Sequence, residues 1–242
     1  MKKYKTRIFI GKAISSNLVL YIKNKQHHFL KNVLRIKIDD IVNIFDGISG
    51  EWQTKVISIN RDNTVLQVID KIRDLTKSPN IWLIFGPLKQ QRMNIVIQKA
   101  TELGVSKIIP CLTDRTNVRN LNIDNLKENA IEAAEQSYRL DIPIIHDEIE
   151  LSDLLASLPE DRLILFCDTS HNKKINISSI QSLKNNYTSF GVLVGPEGGF
   201  SKSEKDLILK KKNILPISLG DRILRSDTAI TVSLFLVLEL LF

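Results

Sequence analysis

The spacing of apolar residues changes once along the chain, close to residue 75. Before that point, short runs rich in Ile and Val are separated by turn residues, a pattern typical of β-strands. These runs read RIFIG, LVLYI, DIVNIF, EWQTKVISIN and NTVLQVID. One stretch between them, QHHFLKNVLRI, instead places Phe29, Leu30, Val33 and Leu34 on one helical face. Residues 1–74 are therefore predicted to form a small β-barrel with one short helix.

From residue 75 to residue 242, apolar strands alternate with amphipathic helices. The predicted strands are IWLIF, VSKIIP, LILFC, FGVLV and ILPISL, and the predicted helices are LKQQRMNIVIQKATEL, NIDNLKENAIEAAEQSYR, LSDLLASL, KSEKDLILKKK and DTAITVSLFLVLEL. Gly104 suits the position just past the end of the first helix, and either Asn122 or Asp124 can cap the second. This alternation predicts an α/β domain whose parallel sheet is covered on both faces.

Neither end of the chain has the pattern of a membrane segment. MKKYKTRIFIGKAISSN is basic but lacks the apolar core of a secretory signal. AITVSLFLVLELLF is strongly apolar, yet it is 14 residues long and contains Glu239, whereas a membrane-spanning helix needs about 20 apolar residues. We expect a helix buried in a core or at a subunit interface, in a protein of the cytoplasm.

The spacing of cysteines and histidines argues against a disulfide framework and against a metal site. Cys111 and Cys167 lie far apart without a CxxC pair, which suits a reducing compartment. The histidines lack the spacing of metal ligands and are interpreted as surface residues: His27, His28, His146 and His171.

The excess of basic over acidic residues lies entirely in the first third of the chain. The net charge is +7, and the first 80 residues hold 15 Lys/Arg against 7 Asp/Glu, while the rest hold 19 against 20. A basic first domain favours a polyanionic partner. A basic surface that serves only solubility would give the same counts, and this alternative stays open.

A glycine-rich turn, GPEGGFSK, follows the apolar strand FGVLV. Ligands of open α/β sheets bind beyond the carboxyl ends of the strands, which is where this turn lies. It lacks GxxxxGK[ST] and GxGxxG, and Glu197 would repel a pyrophosphate, so a neutral or cationic ligand fits better. Ser201 and Glu204 have the spacing of a capping box. A tight structural turn without a ligand remains an alternative.

A second turn, ISLGDRILRSDTA, follows the next apolar strand and contains Gly220, Arg222 and Arg225. Successive strand-end turns, one acidic and rich in glycine and the other basic, can enclose one small molecule between them. Such a molecule would be part cation and part carboxylate.

The two turns together resemble those of one family. LVGPEGGFS followed by LGDRILRSDTA, with MNIVIQKATELGV and EAAEQSYR earlier in the chain, resembles the ribosomal RNA small subunit methyltransferase E family. RIFI and HHFLKNVLRIKIDD look like that family's PUA-like β-barrel, so the resemblance spans essentially the whole chain. It implies an RNA-binding PUA-like domain over residues 1–74. Over residues 75–242 it implies an α/β domain of the SPOUT class, with a trefoil knot around a parallel sheet.

The resemblance also implies an activity and its partners. Members methylate N3 of a uridine near the decoding centre of 16S rRNA (uridine 1498 in the standard rRNA numbering), and S-adenosylmethionine is the methyl donor. It implies a cytoplasmic homodimer, joined through the SPOUT domain, that acts on rRNA of the small ribosomal subunit. Two alternatives stay open: a SPOUT methyltransferase with another RNA target, and a non-catalytic RNA-binding factor of ribosome assembly.

By the same resemblance, backbone groups of the two turns hold the cofactor. Their glycines let the backbone approach a ligand without a Cβ in the way, and Ile223 and Leu224 would flank the adenine. The implied cofactor-binding residues are Leu193, Val194, Gly195, Pro196, Glu197, Gly198, Gly199, Leu219, Gly220, Ile223, Leu224, Arg225, Thr228 and Ala229.

Three residues are candidates for catalysis under this resemblance. Arg225 and Arg139 would stabilise charge that develops on the uracil oxygens, and Glu197 would either orient the cofactor or accept a proton. Each arginine has a structural alternative. Arg139 could complement a helix C-terminus, and Arg225 could pair with Asp221 or Asp227. Asp168, after the strand LILFC, either lines the pocket or caps a turn.

The predicted RNA contacts are basic residues of the first domain, which would neutralise phosphates. They are Arg7, Lys12, His27, Lys31, Arg35 and Lys37. The chain departs from the family pattern at Tyr138, where glycine is usual, at Asn94, where an acid is common, and at Asp227, which shortens a glutamate.

Overall fold

The computed structural model describes residues 4–168 and 182–241, and the chain divides into two compact units. The first unit is Met1–Lys77 with Ala134–Ile142, and the second is Ser78–Ala133 with Pro143–Phe242. The segment Ala134–Ile142 therefore packs with the barrel, although the sequence pattern had assigned it to the second domain.

Five strands form the sheet of the first unit: β1 Arg7–Phe9, β2 Val19–Ile22, β3 Ile41–Phe45, β4 Glu51–Ile59 and β5 Thr64–Arg73. They are ordered β1-β3-β4-β5-β2, so that β1 and β2 are the two edges. β1 is parallel to β3, and the other neighbours are antiparallel. Apolar residues from all five strands share one core, which confirms the strands predicted from the apolar runs.

The short helix of the first unit is confirmed, but its buried face differs from the prediction. Helix α1, Asn24–His28, continues into a π-helical turn, Phe29–Val33. Leu30 is fully buried, whereas Phe29 and Val33 are exposed. The wider π turn changes the number of residues per turn, and side chains three or four positions apart no longer share one face.

Arg7 lies in the interior of the first unit. Its Nε donates to Glu51 Oε1 at 2.9 Å, and both side chains are 2% exposed. Its two Nη groups donate to the backbone carbonyls of Ala134, Glu135 and Arg139. These bonds attach the segment Ala134–Ile142 to the barrel. The prediction that Arg7 contacts RNA phosphates is therefore wrong, because the guanidinium is buried and engaged.

His27 is also buried, contrary to its interpretation as a surface residue and phosphate contact. Its Nε2 lies 3.1 Å from Arg61 O and its Nδ1 lies 2.8 Å from the Thr64 hydroxyl. A carbonyl oxygen can only accept, so Nε2 carries the proton and Nδ1 accepts from Thr64. His28 and His146 are exposed, and His171 lies outside the described residues.

The turn after β3 is organised by the buried carboxylate of Asp46. Oδ1 accepts hydrogen bonds from the backbone of Ile48 and Ser49, and Oδ2 accepts from Ile14 N and the Ser49 hydroxyl. Burial alone would raise the pKa of Asp46, but these four hydrogen bonds outweigh it and lower the pKa below its ordinary 3.8. The charged carboxylate therefore stabilises the fold.

We expect Asp46→Ala to lower the free energy of unfolding of the first unit by about 2–4 kcal/mol at neutral pH, because it leaves buried N–H groups without acceptors. A depressed folded-state pKa contributes stability above the unfolded-state pKa, and that stability is lost as the pH falls through the folded-state value. Urea unfolding from pH 7 to pH 3 should show this acid-sensitive term in the wild type and not in Asp46→Ala. Asp62→Ala, at an exposed turn aspartate of the same unit, is the control and should change the free energy of unfolding at neutral pH by no more than about 0.5 kcal/mol.

In the second unit, the described residues form a seven-stranded sheet. Its strands are β6 Ile81–Phe85, β7 Lys107–Leu112, β8 Ile144–Ile145, β9 Ile149–Glu150, β10 Arg162–Cys167, β11 Ser189–Val194 and β12 Ile214–Ile217. The order is β12-β10-β11-β6-β7-β8, with β9 also paired to β7. Every strand pair is parallel, as the uninterrupted apolar runs predicted.

The helices described in this part of the chain are α2 Gln90–Glu102, α3 Ile123–Gln136, α4 Leu151–Ser157, α5 Lys202–Leu209 and α6 Ser226–Leu241, with a short 3-10 turn at Lys184–Asn186.

Gly104 has φ +76° just past the end of α2, and Asn122 Oδ1 accepts from Asn125 N at the start of α3. Ser201 and Glu204 form the predicted capping box of α5. Among the described residues, no helix combines the length and apolarity needed to cross a membrane.

Candidate functional site

A cavity of about 480 Å³ lies in the second unit, beyond the carboxyl ends of β10, β11 and β12. These three strands are neighbours, so the turns that follow them meet at one edge of the sheet. The volume falls within the range of about 300–1,000 Å³ that is usual for small-molecule sites. The lining consists of residues 194–200, residues 217–226, Arg92, Arg115, Cys167, Asp168, Lys205 and Ala229.

Glycines give the cavity an open backbone surface. Gly199 has φ +66° and Gly220 has φ +116°, conformations that favour glycine. A Cβ built on either residue would have no atom within 4 Å, so the backbone at both positions faces open space. Gly195 is needed for a different reason, since a Cβ there would lie 2.8 Å from the ring of Phe200.

Gly86 packs against the first turn, and no motif in the sequence marks this glycine. It follows β6, and its N–H donates to Val194 O at 2.9 Å. A Cβ at this position would lie 2.5 Å from Cδ and 2.6 Å from the backbone nitrogen of Pro196. Only glycine lets the turn approach β6 this closely.

We expect Gly86→Ala to weaken the binding of S-adenosylmethionine by about 10- to 100-fold, because small displacements of a positioning element have effects of this size. Isothermal titration calorimetry measures the loss. Gly11→Ala is the matched control, since its new Cβ would have only one neighbour, at 3.8 Å. Equal affinities for the two variants would contradict the supporting role of Gly86.

Two carboxylates of the cavity lining are paired with cations. Arg92 Nη1 lies 3.0 Å from Glu197 Oε1, with each side chain about one third exposed. Lys205 Nζ lies 2.7 Å from Asp168 Oδ1, and the Asp168 side chain is 8% exposed. Asp168 therefore lines the cavity, the less favoured of its two interpretations.

The loop after β7 is hydrogen-bonded to the glycine turn and to the start of α5. Arg115 Nη1 donates to Gly198 O at 3.0 Å. Asp114 Oδ2 accepts from the Ser201 hydroxyl at 2.6 Å, and Asp114 N donates to Glu204 Oε1 at 2.7 Å. Arg115 and Arg92 were missed because they come from elements far away in sequence, and neither they nor Lys205, on the helix after the turn, carry a motif of their own.

Arg222 and Arg225 are the cations of the second turn. Both are exposed and line the cavity. Within the described part of the chain, no ion pair involves either of them, so Arg225 does not form the salt bridge to Asp221 or Asp227 that was its structural alternative. The two charges of the cavity lining therefore have no ion-pair partner among residues 4–168 and 182–241.

Cys167 lines the cavity, and its surroundings favour the thiol over the thiolate. Burial raises the pKa of its thiol to about 12, although a hydrogen bond with Ser233 acts in the opposite direction. In residues 4–168 and 182–241, no cluster of three or more His, Cys, Asp and Glu side chains could hold a metal ion.

The structure brings together most of the residues implied for cofactor binding. All of them line the cavity except Leu193, which is buried behind it, and Thr228, which is exposed on α6. Ile223 is 87% exposed, unusual for an isoleucine in a lining. Glu197 and Arg225 lie in the lining, but Arg139 belongs to the first unit.

The guanidinium of Arg139 is occupied within the first unit. Its Nε donates to Asp141 Oδ1 at 2.9 Å, and its side chain is 5% exposed. Burial lowers the pKa of Arg139, while Asp141 opposes that shift. Arg139 also lies beyond the end of α3, at Gln136, so it is not a cation of the last helical turn.

The remaining predicted RNA contacts lie at the surface of the first unit. Lys12, Arg35 and Lys37 are exposed. Lys31 is partly buried, and its Nζ donates to Asn60 O at 2.8 Å. Four of the six predicted positions are thus accessible, and Arg7 and His27 are not.

Comparisons with known proteins agree with this architecture. A family model described as an RNA methyltransferase domain matches residues 76–238, and one described as an RNA methyltransferase PUA domain matches residues 22–69. The crystal structure of ribosomal RNA small subunit methyltransferase E from Neisseria gonorrhoeae, bound to S-adenosyl methionine, superposes with a TM-score of 0.87, covering 98% of both chains at 23% identity. The two family models define an RNA methyltransferase with a PUA domain ahead of its methyltransferase domain, and the superposed structure has the same fold.

Two relatives identify the family. Ribosomal RNA small subunit methyltransferase E of Rickettsia conorii is 34% identical over 92% of this chain and 91% of its own length. The protein of the same name from Buchnera aphidicola of Schizaphis graminum is 30% identical over 97% of this chain and 96% of its own. The chain belongs to the ribosomal RNA small subunit methyltransferase E family.

Proposed function

We propose that this chain transfers a methyl group from S-adenosylmethionine to N3 of a uridine near the decoding centre of 16S rRNA, giving 3-methyluridine. Family membership supports the class of reaction and of substrate. One observation in the site carries the proposal. Arg225 lines a cavity that contains the glycines of the two turns and lies at the carboxyl ends of parallel strands. Among the described residues, the Arg225 guanidinium has no ion-pair partner.

The lining fits the proposed cofactor. When bound, S-adenosylmethionine supplies an electrophilic methyl group on a sulfonium. Gly199 and Gly220 present open backbone where a Cβ would otherwise project, and Ile223 and Leu224 supply apolar surface for an adenine. Glu197 is compatible with a cationic ligand, and Arg92 holds its carboxylate in place.

Arg225 is the catalytic residue in this proposal. The N3 proton of the uracil passes to water in this proposal, which leaves negative charge on N3 and on the neighbouring oxygens until N3 receives the methyl group. A fixed guanidinium stabilises that charge in the transition state. Glu197 orients the cofactor, because its carboxylate is already bonded to Arg92. Arg139 is the weaker candidate, because its guanidinium is engaged by Asp141.

The RNA partner is proposed to contact the first unit through its exposed cations, Lys12, Arg35 and Lys37 among them. We further propose that the chain acts in the cytoplasm and that its second unit contains the trefoil knot of its class.

A homodimer is proposed through α6. This helix buries Ile230, Leu234 and Val237 but leaves Phe235 52% exposed and Val232 36% exposed. Val232 and Phe235 are three residues apart and so lie on one face of the helix. A second copy of the chain would cover them, which follows the usual symmetry of soluble oligomers.

Calorimetry with S-adenosylmethionine separates the proposal from a non-catalytic assembly factor. We expect binding at a single site per chain, and competition by S-adenosylhomocysteine. A chain with a vestigial cavity would release no heat with either compound. Absence of binding by the folded protein would overturn the proposed function.

A further inference from the structure

A second cavity, of about 330 Å³, lies between the two edge strands of the first unit. One wall is formed by residues 9–12, which are the end of β1 and the residues that follow it. The other wall is formed by residues 20–23, which are the last three residues of β2 and Lys23. Gln26 closes one end, and its Nε2 donates to Phe9 O at 2.8 Å. The opening exists because β1 and β2 are the two edges of the five-stranded sheet. We call it the edge slot.

The edge slot has an apolar floor, one exposed aromatic ring and a cationic rim. Ile10, Leu20 and Ile22 are 7%, 2% and 4% exposed and belong to the core beneath it. Tyr21 is 63% exposed, as expected from the alternation of side chains along an edge strand. Lys12 and Lys23 are exposed, and none of the nine lining residues is acidic.

These features match the chemistry of one unpaired nucleotide. Every base has a flat face that can stack on an aromatic side chain, and lysines neutralise the flanking phosphates. We propose that the edge slot binds one single-stranded nucleotide of the RNA substrate, with its base against Tyr21 and its phosphate between Lys12 and Lys23. Of these three, only Lys12 was among the RNA contacts predicted from the sequence.

An extended peptide is the alternative occupant of the edge slot, because it can pair with an exposed sheet edge as an additional strand. The charges argue against it, because lysines at a sheet edge discourage strand addition, and Lys12 and Lys23 follow the two edge strands. The same lysines attract a polyanion, and the net positive charge of the chain lies in its first 80 residues, with 15 Lys/Arg against 7 Asp/Glu.

The inference rests on the proposed RNA substrate, and its test uses binding alone. Fluorescence anisotropy is measured with a labelled oligouridylate of about eight nucleotides, a length within the usual site size. Tyr21→Ala should weaken binding by about 10-fold, and Tyr21→Phe should bind like the wild type, because it keeps the ring. An abasic strand of the same length should bind the wild type and Tyr21→Ala equally.

The lysine arm of the test uses salt dependence. Lys23→Gln should reduce the slope of log affinity against log salt by about 0.7, the value for one phosphate contact on a single strand. Lys55→Gln is the matched control, since Lys55 is exposed in the same unit but outside the edge slot, and it should leave the slope unchanged. Unfolding temperatures verify that the variants are folded.

If Tyr21→Ala and Lys23→Gln both bound the oligouridylate with unchanged affinity, the inference would be overturned. A peptide that adds a strand would then be the expected occupant of the edge slot. A Tyr21→Ala loss of the same size on the abasic strand would also overturn it, since no base would then be stacking. The proposed methylation is judged separately by methyl transfer. An inactive enzyme with Tyr21-dependent binding would refute the methylation alone, and an active enzyme with Tyr21-independent binding would refute the edge slot alone.

Discussion

Arg225→Ala is expected to lower kcat for methyl transfer to small-subunit rRNA by about 100- to 1,000-fold, the usual cost of removing one donor that stabilises transition-state charge. The affinity for S-adenosylmethionine should change little, since the open backbone of the two turns holds the cofactor in this account. Arg225 lines the cavity and has no internal partner among the described residues, so its loss leaves no buried carboxylate behind. Single-turnover kinetics with radiolabelled cofactor separate kcat from binding.

Arg222→Ala is the matched control for this prediction. Arg222 lies in the same turn, carries the same charge and lines the same cavity. A general electrostatic effect on RNA binding would appear in both variants as a higher KM. If Arg222→Ala and Arg225→Ala lowered kcat equally, or if Arg225→Ala left it unchanged, the catalytic assignment of Arg225 would be wrong.

Arg7→Ala should be the most destabilising of the substitutions discussed, lowering the free energy of unfolding of the first unit by about 3–5 kcal/mol. Removing the buried partner of a buried charge is strongly destabilising, and the Glu51 side chain, which is 2% exposed, would then be paired with the half-exposed Arg73 in place of the buried Arg7. The variant also loses the hydrogen bonds to the carbonyls of Ala134, Glu135 and Arg139. The segment Ala134–Ile142 should then become susceptible to protease.

Arg73→Ala is the control, because Arg73 binds the same carboxylate from a side chain that is 41% exposed. It should lower the free energy of unfolding by no more than about 1 kcal/mol. The chain has two tryptophans, Trp52 in the first unit and Trp82 in the second. A Trp82→Phe background lets fluorescence report on the first unit alone. Equal losses for Arg7→Ala and Arg73→Ala would contradict the role assigned to the buried pair.

The α/β fold was predictable because its main elements carry a clear apolar period. The apolar runs located the five strands of the first unit and the longer strands of the second, with ends displaced by a few residues. β8 and β9 were missed because strands of two residues show no period. The buried face of α1 was misassigned because a π turn leaves no signature in the spacing of apolar residues.

Charge patterns located the basic unit but could not distinguish buried cations from exposed ones. Arg7 and Lys12 are equivalent in a charge count, yet the first lies in the core and the second lies at the surface. The difference depends on Glu51 and on carbonyls more than 120 positions away. The same long-range contacts explain why Ala134–Ile142 was assigned to the wrong side of the domain division.

One departure from the family pattern has a structural explanation. Tyr138 stands where glycine is usual, and its φ is +59°, a left-handed conformation that suits glycine better than tyrosine. Contacts of its side chain offset part of this strain, since Tyr4 donates a hydrogen bond to its hydroxyl and the Arg7 guanidinium lies 5.2 Å from its ring centroid. The backbone conformation could not be read from the sequence, because a tyrosine does not indicate a left-handed residue.

The central claim is that this chain methylates N3 of a single uridine in 16S rRNA. The most direct measurement incubates the purified protein and S-adenosylmethionine with small ribosomal subunits from a strain that lacks the chain, and then analyses rRNA fragments by mass spectrometry. The account predicts one 3-methyluridine per 16S rRNA, at the decoding-centre position. A methyl group on another base or position, or the persistence of 3-methyluridine in the strain before the protein is added, would contradict it.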